Sequence, residues 1–162
     1  MKLEILKELW KSDSIVRPNP ASEQELLRFQ NTNEVTLPED LAEYFRLVNG
    51  TNEEYESRLF QFYSLNNFKN IGDELKHFNG VPDYSGLVTT LKDYTKYFVL
   101  ADYMFHLFSY AIRLNKYDET EGNEVLILSG EKYQKISNSF SDFVTLYLDD
   151  SIELQFNTEG RE

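Results

Sequence analysis

The sequence predicts an α+β domain with a central antiparallel sheet, on three observations. Apolar residues recur at helical spacing near both ends of the chain, they form a short run at Tyr97 to Ala101 and alternate with period two from Leu107 to Leu114, and the connections between these stretches are too short for parallel crossovers. Leu3, Leu6 and Trp10, flanked by Ile5 and Leu9, mark the first helix. Asn19, Pro20 and Ser22 open the second: Ser22 with Glu25 fits a capping box, and proline in a first turn sacrifices no hydrogen bond. Leu26, Leu27 and Phe29 are its expected core contacts.

The third helix spans Leu37 to Asn49. Glu39 and Asp40 follow Pro38 where the helix dipole favours acids, and Leu41, Tyr44, Phe45 and Val48 then fall at i, i+3, i+4 and i+7. Asn49 and Gly50 close it, since both tolerate a left-handed backbone. Leu59 to Leu65 reads as a strand, and Phe68, Ile71, Leu75 and Phe78 read as a helix stopped at Asn79 and Gly80. Strands follow at Tyr97 to Ala101, Leu107 to Leu114, Val125 to Leu128 and around Tyr133 to Ile136. Ser139 with Asp142 starts a closing helix whose face is Phe140, Phe143, Val144, Tyr147 and Leu148. No repeat or low-complexity linker divides the 162 residues, so residues 1–162 read as one domain.

Composition narrows the function. The 28 acidic against 16 basic residues give a net charge of -12, which disfavours nucleic acid and points to a basic protein partner. With no cysteine, disulfides, thiolate metal sites and cysteine nucleophiles are excluded, and two histidines, His77 and His106, cannot make a three-histidine metal site. No phosphate-binding loop or dinucleotide fingerprint occurs, so no cofactor and no metal is expected. No apolar run is long enough for a membrane span and the N-terminus has no cleavage-site pattern, so the expected compartment is the cytoplasm, with a monomer as default.

Acid pairs such as Glu53 with Glu54, Asp118 with Glu119 and Asp149 with Asp150 lack a motif that would fix catalytic geometry, and no Gly-x-Ser-x-Gly elbow exposes a serine to His106. His106 reads as part of a sheet face or turn, and His77 as a stabiliser of a helix end. Two acidic clusters remain as partner-binding candidates, Glu53, Glu54 and Glu56, and Asp118, Glu119 and Glu121. Tyr55, Tyr103 and Phe105 could supply a desolvated centre. The alternative for the acids is plain solvation of loops.

The run LPEDLAEYFRLVNG at Leu37 to Gly50, preceded by SEQELLRFQ, resembles the signature of the SUKH superfamily, which includes a fungal cell-wall-assembly regulator. LFQFYSL at Leu59 to Leu65, YFVLAD at Tyr97 to Asp102 and SFSDFVTLYL at Ser139 to Leu148 are similar to its later elements in the same order. Thr51 and Asn52 stand where members often have another glycine, and Tyr103 to His106 replace a Gly-rich turn, which changes the surface beside the sheet. The resemblance implies a non-catalytic α+β binding module. Most bacterial members are regarded as immunity proteins that neutralise a toxin domain, often a nuclease; a regulatory or scaffolding domain with an endogenous partner is the alternative.

Overall fold

The structure is a computed structural model that describes residues 2–156 apart from Arg17 and His77. Its helices are α1 (Lys2–Ser12), α2 (Glu23–Asn33), α3 (Glu39–Leu47), α4 (Ile71–Leu75), α5 (Leu87–Thr90) and α6 (Phe140–Leu148). The strands are β1 (Phe60–Phe62), β2 (Lys69–Asn70), β3 (Tyr97–Tyr103), β4 (Phe108–Arg113), β5 (Val125–Ser129) and β6 (Lys132–Ser137). They form one antiparallel sheet in the order β1-β3-β4-β5-β6, with β2 also paired to β3.

Both faces of the central strands are covered, which is why β3 and β5 read as nearly unbroken apolar runs. On one face Phe98, Leu100, Tyr110, Ile112 and Ile127 meet α1, α2, α3 and α6 in a core containing Trp10, Leu41, Phe45, Phe143 and Tyr147. On the other, Val99, Ala111, Leu126 and Leu128 lie under a smaller cover from residues 71–94, through Ile71, Leu75, Tyr84, Leu87 and Leu91. Two helix starts follow the sequence closely: Ser22 and Glu25 form the reciprocal capping box, and the Ser139 hydroxyl accepts from the Asp142 amide at 3.1 Å. Asn49 and Gly50 take φ of 60° and 96°, as a helix terminus of this kind needs.

Three local expectations are corrected. The stretch Leu59 to Leu65 narrows to β1, because Leu59 turns to φ 73° and Leu65 starts a 3-10 turn, Leu65–Asn67. The helix expected from Phe68 shrinks to α4: Phe68 packs on Phe29, Phe45 and Phe98, Lys69 and Asn70 pair with β3, and only then does the Asn70 side chain cap a helix by accepting from Asp73. Leu27 faces outward at 57% exposure because α2 turns Leu26 into the core with Phe29 half-buried beside it, and Leu27, about 100° further round the helix, falls on the solvent side of that narrow stripe. The reading of His77 lies outside the described residues.

Candidate functional site

The loop from Thr51 to Leu59 is positioned by hydrogen bonds along the free edge of β1. The Thr51 amide donates to the Phe62 carbonyl, the Phe62 amide donates to the Thr51 hydroxyl, and the Glu56 amide donates to the Phe60 carbonyl. Asn52 and Glu53 turn through φ 58° and 60°, leaving Asn52, Glu53 and Glu54 exposed. Beside this loop is the β3–β4 turn. Met104, Phe105 and His106 all have positive φ, 48°, 53° and 66°, where each non-glycine residue costs about 1–2 kcal/mol. Something must hold that turn.

Asp102, fully buried at the end of β3, does so. Its Oδ1 accepts from the Tyr55 hydroxyl at 2.7 Å and from the His106 amide at 3.1 Å; its Oδ2 accepts from Tyr63 at 2.8 Å and Gln61 at 2.9 Å. Hydrogen bonds to an ionised acceptor contribute about 1.5–3 kcal/mol each, enough to offset the strain. Burial first, and then the hydrogen bond and charge of Asp102, raises the pKa of Tyr55, so its hydroxyl remains a donor. A second brace reaches the turn from beneath: Tyr84 donates to the His106 carbonyl at 2.8 Å, and Ser109 donates to Tyr84 at 3.3 Å. At the tip Phe105 is 69% exposed, with its ring 4.5 Å from that of Tyr55.

His106 and Ser109 do meet, with Nδ1 and Oγ 3.0 Å apart. Ser109 is fully buried with the Tyr84 hydroxyl at 3.3 Å, and Asp102 accepts from the backbone amide of His106 and not from its ring, so the pair lacks the exposed nucleophile and carboxylate-oriented base of a catalytic triad. Burial lowers the pKa of His106, with Asp102 opposing, so the ring is held neutral. Among the described residues no group of three or more acids and histidines is arranged to hold a metal ion. Nor is any helix among them long and apolar enough to cross a membrane.

The candidates therefore divide. Glu53, Glu54, Tyr55 and Phe105 share one end of the sheet. Tyr103, on the strand face opposite Asp102, is half-buried between Phe60 and Phe108 and is not part of the tip. Glu56 is not a surface charge at all. It is 2% exposed, accepts from the amides of Arg58 and Phe60 at 2.6 and 3.0 Å, and receives the Tyr147 hydroxyl, which in turn accepts from Trp10 at 2.9 Å. Arg58, 3.6 Å from the Glu56 carboxylate and stacked 4.5 Å over Tyr147, supplies the countercharge. Asp118, Glu119 and Glu121 lie at the far end of β4, a strand length of about 20 Å away. Glu119 pairs with Lys96 and Glu121 with Arg113, leaving Asp118 as the exposed acid of that cluster without an ion pair among the described residues.

Sequence reasoning missed Asp102, Gln61 and Tyr63. An acid closing the otherwise apolar run YFVLA was the available signal, since a charge at a buried strand end needs partners. Also missed was a groove of about 490 Å³ beside the loop, walled by Asn19, Asn52, Glu53, Asn66 and Asn67.

Two comparisons bear on this arrangement. The profile of the SMI1 / KNR4 family (SUKH-1) matches residues 20–146, which covers α2 through most of α6 and leaves α1 outside. Among curated proteins none matches the chain.

Proposed function

The chain belongs to the SMI1 / KNR4 family (SUKH-1), and on that footing we propose that it is a non-catalytic binding module, an immunity protein that neutralises a basic toxin domain by covering its working surface. The observation that carries this reading is the exposed Phe105 ring, set on a strained turn braced from within and backed by the half-buried Tyr55 from the loop that carries Glu53 and Glu54. An aromatic anchor fixed before the partner arrives loses little conformational entropy on binding. Acids at its rim speed encounter with a cationic surface, and the remaining excess of negative charge, including Asp118, adds to the field within a Debye length of about 8 Å.

The test is association kinetics with the basic domain encoded beside this chain's gene, across a salt series. Glu53→Lys with Glu54→Lys should slow association, with the effect fading at high salt, and Phe105→Ser should speed dissociation. If neither variant changes either rate, the face is not the interface. A genome with no toxin gene adjacent would favour an endogenous regulatory partner instead.

A further inference from the structure

The amide-lined groove adjoins the aromatic tip through the same loop, since Asn52 and Glu53 form its rim and Tyr55 reaches Phe105 two residues on. Its walls are tied together. The buried Asn49 side chain donates to the Asn19 carbonyl at 2.7 Å on one wall and accepts from the Leu65 amide at 2.9 Å on the floor. Pro18 and Pro20 stiffen the first wall by fixing their own φ. Asn67 donates to Glu53 at 3.3 Å, whereas the Asn52 and Asn66 side chains, both exposed, have no partner among the described residues. A carboxamide offers a donor and an acceptor side by side, which is the pattern that the main chain of an extended peptide presents. At the groove's acidic positions, among the described residues, Glu53 keeps an oxygen free and Glu25 is held by the Ser22 amide through one oxygen only.

We propose that this groove receives an extended, arginine- or lysine-bearing segment of the protein partner, its main chain paired with the carboxamides of Asn52 and Asn66 and its cationic side chains with Glu53 and Glu25. This rests on the reading of the chain as a protein-binding module and adds a second point of attachment to the Phe105 tip. A basic protein is the occupant because an acidic chain with carboxylates at the groove repels anions, and because an apolar ligand would find few surfaces here to bury.

The probe is a blocked Gly-Arg-Gly-Arg-Gly peptide, titrated into the isotopically labelled full chain and followed by backbone amide resonances. Free arginine and the Glu-substituted peptide serve as controls. The expected result is saturable shifts confined to residues 19, 25, 49–53 and 64–67, larger than those from arginine alone and absent with the acidic peptide. Asn52→Gly, which keeps the left-handed backbone, combined with Asn66→Ala should weaken the peptide by about tenfold or more. Three outcomes overturn the proposal: shifts no larger than arginine produces, shifts spread equally to residues 118–121, or undiminished affinity in the double variant. Saturable peptide binding with no toxin association would leave the groove standing and remove the immunity reading; loss of peptide binding with Phe105-dependent toxin association intact would do the reverse.

Discussion

Tyr55 and Asp102, separated by 47 residues, meet in a 2.7 Å hydrogen bond that joins the loop along β1 to the strand end beneath the β3–β4 turn. The Tyr55 ring then supports Phe105, while the other oxygen of Asp102 is taken by Tyr63 and Gln61. One buried carboxylate thus sets the position of both halves of the candidate interface. The order of causes runs from a polar residue in an apolar strand, through its hydrogen bonds, to a surface shape.

Asp102→Asn tests that dependence. The amide keeps the shape but has one acceptor oxygen and no charge, so two of the four donors lose their partner, either Tyr55 with the His106 amide or Tyr63 with Gln61. A loss of about 1–3 kcal/mol in urea unfolding is expected, together with faster hydrogen exchange at residues 104–106. Unchanged exchange there would show that Tyr84 and the chain itself hold the turn.

Glu56 separates folding from binding. Glu56→Ala removes the acceptor for Tyr147 and for the Arg58 and Phe60 amides, and leaves Arg58 without its buried partner, so a loss of about 3–5 kcal/mol is expected. Glu53→Lys and Glu54→Lys, on exposed positions, should change stability by no more than about 0.5 kcal/mol. Reversing all three acids together would therefore report unfolding and not association. Comparing the melts of the single variants checks this.

These residues also show what the sequence could and could not disclose. The helix faces were legible because Leu41, Tyr44, Phe45 and Val48, or Phe140, Phe143, Val144 and Tyr147, obey a local period, and all of them are buried. The capping box at Ser22 spans three residues. Glu56 was misread as surface because its partner Tyr147, itself held by Trp10, lies far away in sequence, and acids in a row read as a solvated loop. The tip was half legible. Phe105 stood out as bulky where a Gly-rich turn is expected, but that Met104, Phe105 and His106 all adopt left-handed backbone depends on long-range bonds to Asp102 and Tyr84, which no local propensity encodes.

Glu74 gives the fold a pH dependence. Burial, the largest cause, pushes its carboxyl up from 4.5 to about 7; Asp102 adds to this, while Lys69 opposes it. The folded chain therefore keeps a proton that the unfolded chain releases near pH 4.5. Stability is greatest, for this group, below that value, and it falls as pH rises to about 7. Glu74→Gln should remove the decline and raise stability at pH 8 by on the order of 1–3 kcal/mol. The difference between wild type and variant in unfolding experiments from pH 4 to 8 isolates it, because acids with lowered pKa such as Glu25 and Asp83 contribute equally to both.

Two glycines make opposite predictions from the same substitution. At Gly50 the backbone has φ +96°, and a Cβ would lie 2.7 Å from the Phe62 carbonyl oxygen and 2.9 Å from the Ser64 nitrogen, both main-chain atoms that cannot swing away. Gly50→Ala should cost about 1–3 kcal/mol in backbone strain alone, and more from the contact. At Gly122 an added methyl group would meet nothing within 4 Å and the backbone has no positive φ, so Gly122→Ala should be neutral or stabilise by about 0.4–1 kcal/mol through the unfolded chain. Thermal melts of the two variants check the contrast. The consequence reaches the site, since Gly50 directly precedes the loop that pairs with β1: relief of the clash must push residues 51–55 off that edge, and Gly50→Ala should therefore weaken partner association even at temperatures where the domain stays folded.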